Sequence, residues 1–324
     1  MLGIVDYSDF DVFQTVCDYF SRKDERFNAD EEKLTVELKM YQYSFPVTIR
    51  CSVIPQKKRL IIESPMIYKA ENKTVNDTCR ALMQLNYNLE LGYYTIDIRS
   101  GLLSYKASVD YTCCEVDNFL CDYIFVHIFN IIERNNETLF YIATGQKTYQ
   151  ECYDANSFAD TIREYIPESF SKSALSIYDA AKEFFSGGFD CECDESMLLL
   201  HINSNENWKY PSANLRVRDS LFTVDFDNEY DIEITDNNRD FLYTVAAGYT
   251  YTSKDSALIF DSATDRFILL QSKLFADEFK DADGVFVSFL HKASYLGDFL
   301  KELFAKLDNR EIGMYDLIKI LYKD

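Results

Sequence analysis

The chain has 324 residues, of which 47% are hydrophobic and 27% are charged, so it is long enough for two globular domains with cores of their own. Acidic residues outnumber basic residues by 54 to 33, and the net charge of −21 opposes binding to the phosphates of nucleic acids. No apolar run approaches the length of a membrane helix, and the first residues lack the features of a signal peptide. We therefore expect a cytoplasmic protein that binds neither nucleic acid nor a membrane.

The first part of the chain alternates between helical and strand patterns. Helices are predicted where apolar residues recur every three or four positions, and strands where short β-branched segments alternate with polar residues. The predicted elements are a helix over 11–23, strands over 33–40, 47–54 and 59–63, a helix over 71–87, a hairpin of 93–98 and 102–109, and a helix over 116–134.

The second part repeats this order of elements. Its predicted elements are a helix over 173–185, strands over 197–203, 214–219 and 220–234, a helix over 238–249, a hairpin of 256–261 and 266–274, a helix over 284–307 and a last helix within 309–324. Similar residues recur 164 positions apart, although the middle helices align only if the offset shrinks: Phe20 and Phe184, Leu103 and Phe267, Ser108 and Ser272, Asp117 and Asp281, Phe125 and Phe289, His127 and His291.

These patterns predict an α+β fold of two similar units, each a roughly five-stranded antiparallel sheet with helices packed on one side. Residues 1–147 form the first predicted unit, and 148–172 form a connector. Residues 173–324 form the second unit together with a C-terminal helix.

The middle of the first unit carries a pattern known from a protein family. A helix that ends in Leu85-Asn86-Tyr87-Asn88 is followed by a short link with Gly92, the strand Tyr93 to Ile98, a turn with Gly101 and Tyr105 on the return strand. This pattern resembles the YbjN-like family, whose fold is that of the type III secretion chaperones. The resemblance covers about residues 5–145 and extends more faintly to 173–307.

The second unit departs from this family pattern, because residues 246–249 at its predicted helix end include no asparagine and its turn at 262–265 has no glycine. The resemblance implies a binding or adaptor role without catalytic residues. The secretion chaperones of this fold are usually small acidic dimers that hold an extended segment of another protein. By analogy, the two fused units would form an internal pseudo-dimer, and further oligomerisation stays open.

Sequence motifs for common catalytic chemistry are absent. The ten glycines do not form a GxGxxG or GxxxxGK loop, and the chain contains neither an HExxH nor a GxSxG motif. We therefore expect a noncatalytic protein that needs no cofactor and holds a segment of a partner protein in a chaperone-like or regulatory role. A structural subunit of a larger assembly is an alternative.

Cysteine and histidine offer only weak candidates for metal ligands. The chain has nine cysteines, an odd number that favours reduced thiols. Cys191 and Cys193 with His201 could form half of a metal site, and a metal-dependent or small-molecule enzyme with a dispersed site is the corresponding alternative. For His127 and His291 we expect hydrogen-bonded helix histidines rather than a metal pair.

Five carboxylates alternate with apolar residues in the strand predicted over 220–234. Because a strand has a period of two, the alternation places them all on one face. A solvated outer face is the simpler interpretation, and a negative surface for a basic segment of a partner is the functional one. An EF-hand loop is disfavoured, since Tyr230 stands where that loop needs glycine. The candidate partner-binding residues are Asp225, Asp227, Glu229, Asp231 and Glu233.

Overall fold

The computed structural model of the protein describes residues 8–41, 45–89, 91–112, 115–155, 171–203, 211–218, 223–253, 255–262, 264–274 and 282–322. Within these residues the chain forms two antiparallel sheets and two sets of helices. The α+β prediction with two similar units is therefore confirmed.

The first unit follows the predicted order of helices and strands. Its sheet has the strand order β1-β2-β3-β4-β6-β5, so β1 and β5 are the edges. Its elements are α1 (Asp9–Arg22), β1 (Phe27–Asp30), β2 (Thr35–Met40), β3 (Val47–Ile54), β4 (Arg59–Lys69), α2 (Val75–Asn88), β5 (Tyr93–Asp97), β6 (Leu102–Asp110), α3 (Asn118–Ala143) and α4 (Tyr149–Asp154).

Local sequence explains these elements. The Ser8 hydroxyl accepts a hydrogen bond from the Asp11 N–H, and the Asp11 carboxylate accepts one from the Ser8 N–H, which together form a capping box that begins α1. In β3 every second residue, from Val47 to Val53, is buried beneath helices. One face of the sheet therefore packs against α1 and α3.

The second unit repeats the first. Its sheet has the strand order β11-β12-β10-β9-β8-β7, which is the equivalent order. Its elements are α5 (Lys172–Ser186), β7 (Cys191–Asp194), β8 (Leu199–Ile202), β9 (Ala213–Arg218), β10 (Thr223–Tyr230), α6 (Leu242–Thr252), β11 (Ser256–Asp261), β12 (Arg266–Leu274), α7 (Ala282–Asp308) and α8 (Met314–Leu321).

Backbone details also recur at the offset of 164. Leu34 and Leu198 both have a left-handed conformation, with φ of 50° and 48°. The Leu34 carbonyl accepts a 3.0 Å hydrogen bond from the Val53 N–H, and the Leu198 carbonyl accepts one of the same length from the Val217 N–H. A non-glycine residue at positive φ is uncommon, so this coincidence supports an internal repeat.

The middle helices keep the same offset, which corrects the expectation that it shrinks there. The Asn86 side chain bonds both backbone groups of Tyr94, accepting from its N–H at 2.6 Å and donating to its carbonyl at 2.9 Å. The Thr250 hydroxyl bonds both backbone groups of Leu258 in the same way, at 2.9 and 3.0 Å. Thr250 is therefore the equivalent of Asn86, and the helix end lies beyond the segment 246–249.

Several predicted elements also differ in the structure, among them the strand predicted over 59–63, which continues to Lys69. Each predicted sheet gains a short polar edge strand, β1 and β7, so that six strands are described per unit. The strand predicted over 220–234 comprises Thr223–Tyr230, with residues 219–222 outside the described part of the chain. The helix predicted over 116–134 continues to Ala143.

The two units contact each other through equivalent elements. Helix α2 packs against α6 and β11, and α6 packs reciprocally against β5. Apolar residues of both units, such as Leu85 and Phe260, belong to one continuous core, while a second core lies within the second unit. Polar contacts between units include the hydrogen bond from Tyr93 Oη to the Ser253 carbonyl at 3.2 Å. Among the described helices, none is long and apolar enough to cross a membrane.

Candidate binding site at the junction of the two units

Three of the predicted acidic residues, Asp225, Asp227 and Glu229, lie on β10. This strand is not at the edge of the second sheet, because it pairs with both β9 and β12. Asp225 forms an ion pair with Arg218 and accepts a 2.6 Å hydrogen bond from the Ser272 hydroxyl. Glu229 pairs with Arg266 at 2.5 Å. These two carboxylates are therefore matched by cations of neighbouring strands.

The remaining predicted carboxylates have different environments. Burial, followed by repulsion from Asp225, raises the pKa of Asp227 to about 7. Asp231 and Glu233 are exposed and follow the end of β10, and Asp231 pairs with Arg266 at 2.9 Å. The five residues thus do not form one continuous row along a strand, and their role in binding a partner stays a prediction.

The candidate metal ligands are not brought together. In the register of β7 with β8, His201 lies opposite Glu192, whereas Cys191 and Cys193 lie opposite Ile202 and Leu200. Because side chains alternate along a strand, His201 is on the other face from the two thiols. His201 Nδ1 instead lies 2.7 Å from Asn214 Oδ1. Within the described residues, no group of three or more His, Cys, Asp or Glu side chains could hold a metal ion.

The two matched histidines differ. His127 is partly buried on α3, and burial followed by repulsion from Arg134 lowers its pKa. Its Nδ1 lies 3.4 Å from the Tyr123 hydroxyl, as expected for a hydrogen-bonded helix histidine. His291 is exposed on α7, so it does not share that environment.

The terminal helix α8 fills a groove between the units. Leu321 lies against Gly248 of α6, where an added Cβ would approach the Leu321 side chain to 2.6 Å. The ring of Tyr322, directly after α8, lies 5.4 Å from the ring of Tyr251, measured between centres. The Tyr322 hydroxyl accepts a 2.9 Å hydrogen bond from the Ile98 N–H of the first unit.

The side chain of Arg99 completes this arrangement. The Arg99 guanidinium lies 4.1 Å from the centre of the Tyr322 ring and pairs with Asp97 at 3.1 Å. We refer to this groove as the occupied seat. Its residues are Asp97, Ile98, Arg99, Gly248 and Tyr251.

The equivalent position on the other side of the junction is a cavity of about 280 Å³. Subtracting 164 from Gly248 and Tyr251 gives Gln84 and Tyr87 on α2, and adding 164 to Asp97 and Ile98 gives Asp261 and Ser262 after β11. We refer to this cavity as the open seat. It is lined by Gln84, Tyr87, Asp261 and Ser262, with Arg80, Met83, Tyr149, Tyr243, Ile259 and Phe260 around them.

Among the described residues, none takes the place in the open seat that Tyr322 takes in the occupied seat. Helix α4 is equivalent to α8 at an offset of 165, since the N–H groups of Thr148 and Gly313 each donate to a carboxylate three residues on, and Cys152 and Leu317 are both buried. At this register the positions of Leu321 and Tyr322 correspond to residues 156 and 157, which are Asn and Ser. Both lie outside the described residues, as does Phe158, which corresponds to Tyr322 at the offset of 164.

The open seat is lined by aromatic side chains and by charged groups of both signs. The Arg80 guanidinium lies 4.4 Å from the ring centre of Tyr149 and 5.8 Å from that of Tyr243. Tyr87 is 56% exposed, and burial of the remainder raises its pKa together with the charges of Asp227, Asp261 and Glu229. The seat therefore combines aromatic contact surface with charges of both signs, from Arg80 and Asp261.

Sequence reasoning did not identify the open seat. The signal in the sequence is the relation of the terminal helix to residues 148–155, which belong to the segment predicted as a connector. A scan against protein-family models and searches of curated proteins and of solved structures found no match. Function is therefore inferred from the geometry of the two seats.

Proposed function

We propose that the protein is a noncatalytic binding protein of chaperone-like or regulatory type, which holds a segment of a partner protein in the open seat. The proposal includes an internal pseudo-dimer of two units and membership of the YbjN-like family. It also includes a cytoplasmic location, which is supported by the free thiols of all cysteines in the described part of the chain, seven in number.

One observation carries this proposal: the occupied seat already holds a polypeptide segment of the chain itself. Helix α8 inserts Leu321 and Tyr322 between α6 and the first unit, and the equivalent cavity beside α2 is lined by matching positions. Repeated units build similar surfaces, so a surface that receives a helix end in one unit is suited to receive a similar segment in the other.

The lining of the open seat suits recognition of a protein segment. Tyrosine and arginine are enriched in protein interfaces, because they combine a large apolar contact area with hydrogen-bonding groups. Tyr87, Tyr149, Tyr243 and Arg80 supply this combination around a concave surface. The rival of a metal enzyme with Cys191, Cys193 and His201 loses geometric support, since His201 faces away from the thiols.

Site-specific cross-linking tests this function. A photoreactive amino acid replaces Tyr87 in the full chain, and the matched control carries it at Tyr295, a 75% exposed tyrosine on α7. In cells that make the protein, we expect irradiation to attach one protein at position 87, through a defined peptide, and not at position 295. Equal labelling at both positions contradicts the proposal, as does saturable turnover of a small substrate that is lost on Tyr87→Ala.

A further inference from the structure

We infer that a small polar cavity at the junction of the two units binds inorganic phosphate. The cavity has a volume of about 50 Å³ and lies where β6 of the first unit meets β12 and α7 of the second. It shares no residue with either seat, and its occupancy does not depend on the function proposed for the open seat. We refer to it as the junction cavity. Its charged lining residues are Arg59, Asp110, Asp255, Lys273 and Lys292.

The second unit builds this cavity from positions that are apolar in the first unit. In β6, Val109 lies opposite Leu60. In β12, Lys273 lies opposite Val224, which is the same pairing shifted by 164. At five lining positions the residue 164 places earlier is a buried apolar one. The five pairs are Leu91 and Asp255, Ala107 and Gln271, Val109 and Lys273, Ile124 and Ser288, and Ile128 and Lys292.

These five differences converge on one place in the fold. Charged and polar groups that are withdrawn from water cost stability, whereas apolar residues at the same positions contribute to a core. The first unit fills the equivalent position with such a core. The polar lining in the second unit is therefore explained by a ligand better than by packing.

The lining of the junction cavity carries three cations and two carboxylates. Arg59 pairs with Asp255 at 2.7 Å, Lys292 pairs with the same carboxylate, and Lys273 pairs with Asp110 at 3.2 Å. The cationic side chains are only 21–26% exposed. Because the effective dielectric constant is lower there than in water, they attract an anion more strongly than surface cations do. The lining therefore favours an anion, although the whole chain has a net charge of −21.

The environment of Lys292 supports an anionic ligand. Burial lowers the pKa of its ammonium group, attraction to Asp255 offsets this effect only in part, and Arg59 repels the ammonium. An anion beside Arg59 and Lys292 counteracts both burial and repulsion. Binding of the anion and retention of the Lys292 proton therefore favour each other.

Size and hydrogen-bond donors fit phosphate. One buried water needs about 10–15 Å³ of such volume, so an ion in the junction cavity takes the place of about four waters. Guanidinium and ammonium groups each have several N–H donors, which allows a cation to bind the ion while it keeps its carboxylate. Ser108 and Ser288 add hydroxyl groups, and Ser288 is exposed, so the cavity reaches solvent there.

The two carboxylates select phosphate over sulfate. An ionised carboxylate can only accept hydrogen bonds. Phosphate at neutral pH keeps a proton on one oxygen and can donate it in a hydrogen bond to Asp110 or Asp255, whereas sulfate carries no proton and is repelled by both. A lining of cations alone would bind the two ions alike, so the mixed lining provides the discrimination.

Calorimetric titration of the full-length protein with sodium phosphate tests the inference. Chloride keeps the ionic strength constant, so that screening does not change during the titration. We expect one phosphate per chain and sulfate binding that is weaker by about tenfold or more. Phenyl phosphate, which carries the same group on a bulky ring, should also bind about tenfold more weakly, because the cavity has room for the ion alone. No saturable phosphate binding, or equal affinity for sulfate or phenyl phosphate, overturns the inference.

Variants locate the bound ion. We expect Lys273→Gln and Lys292→Gln each to weaken phosphate binding about tenfold, while Lys273→Arg, which keeps the charge, retains it. Lys182→Gln is the control, because it removes the cation of an ion pair on α5, away from the cavity, and should leave the affinity unchanged. Asp255→Asn should narrow the preference for phosphate over sulfate, a change that a purely structural role does not produce. Circular dichroism verifies that each variant is folded. Phosphate affinity that is unchanged in both glutamine variants, or reduced equally in Lys182→Gln, overturns the inference.

Discussion

Gly248 lies directly against Leu321, and no other residue type fits between α6 and α8 without movement. A Cβ at position 248 would approach Leu321 Cδ1 to 2.6 Å and its Cβ and Cγ to 3.2 and 3.3 Å. The flexible tip of leucine can shift, but the contacts with its inner atoms require α8 itself to move. The absence of a side chain at Gly248 therefore allows α8 to pack against α6.

We predict that Gly248→Ala destabilises the protein. Alanine gains up to about 1 kcal/mol of helix propensity, whereas overpacking of a filled site costs about 1–3 kcal/mol, so the net loss is about 1 kcal/mol. Urea unfolding measures the loss, and limited proteolysis at α8 locates it. Gly188→Ala is the control, because a Cβ there meets nothing within 4 Å. A Gly248→Ala protein as stable as the original with α8 fully protected contradicts the prediction.

Asn86 and Thr250 should be equally critical, because each satisfies both backbone groups of a strand residue. The Tyr94 groups bonded by Asn86 and the Leu258 groups bonded by Thr250 are buried. Removing the side chain leaves buried polar groups without partners, at about 1–3 kcal/mol. We expect Asn86→Ala and Thr250→Ala to lower the free energy of unfolding by similar amounts in that range. A loss for one variant alone would argue that the two positions are not equivalent.

The same pair shows how far the sequence leads. Period-two and helical patterns predicted most elements and the repeated order, because they depend on burial of one face. The equivalence of Asn86 with Thr250 could not be read from residue types, since an amide and a hydroxyl perform the same capping chemistry. Only the equivalence of their partners, Tyr94 and Leu258, reveals that the offset of 164 also holds for these helices.

The candidate site could not be predicted from the sequence for a related reason. Tyr87 and Asp261 are 174 positions apart, and they line one cavity because the two units pack through equivalent elements. The alternation from Asp225 to Glu233 was visible, but the cations opposite these carboxylates come from β9 and β12 and depend on register. Short polar edge strands such as β1 carry too few apolar residues to signal themselves.

We predict that Asp255 contributes more to stability than any other charged residue described between the units. It pairs with Arg59 of the first unit at 2.7 Å and with Lys292 of α7. Burial opposes its ionisation, yet Lys292 and Arg59 hold its pKa below the usual value. Because breaking a partly buried pair leaves cations uncompensated, we expect Asp255→Ala to cost about 3 kcal/mol at pH 7.

The pH dependence of this contact has a defined sign. A carboxylate with a lowered folded pKa stabilises the protein above its unfolded pKa, and the stabilisation is lost as the pH falls below about 4. The difference between Asp255→Ala and the original protein should therefore shrink on acidification. Lys292→Met should cost less, since burial outweighs attraction to Asp255 and lowers the Lys292 pKa, while Arg59 still pairs with the carboxylate. Equal costs for both variants would contradict this ranking.

Asp227 should act in the opposite direction. Its pKa of about 7, raised by burial and then by Asp225, means that the folded state binds a proton more tightly than the unfolded state between about pH 4 and 7. Stability contributed by this residue therefore falls as the pH rises through that window. We expect Asp227→Asn to stabilise the protein at pH 8 by about 1–2 kcal/mol, less than the full shift allows because the side chain keeps some solvent access, and to have little effect at pH 4. Urea unfolding at both pH values measures this, with exposed Glu233→Gln as the control expected to stay within about 0.5 kcal/mol. A loss of stability at pH 8 in Asp227→Asn would show instead that the ionised carboxylate is held favourably by Arg216 and Arg218.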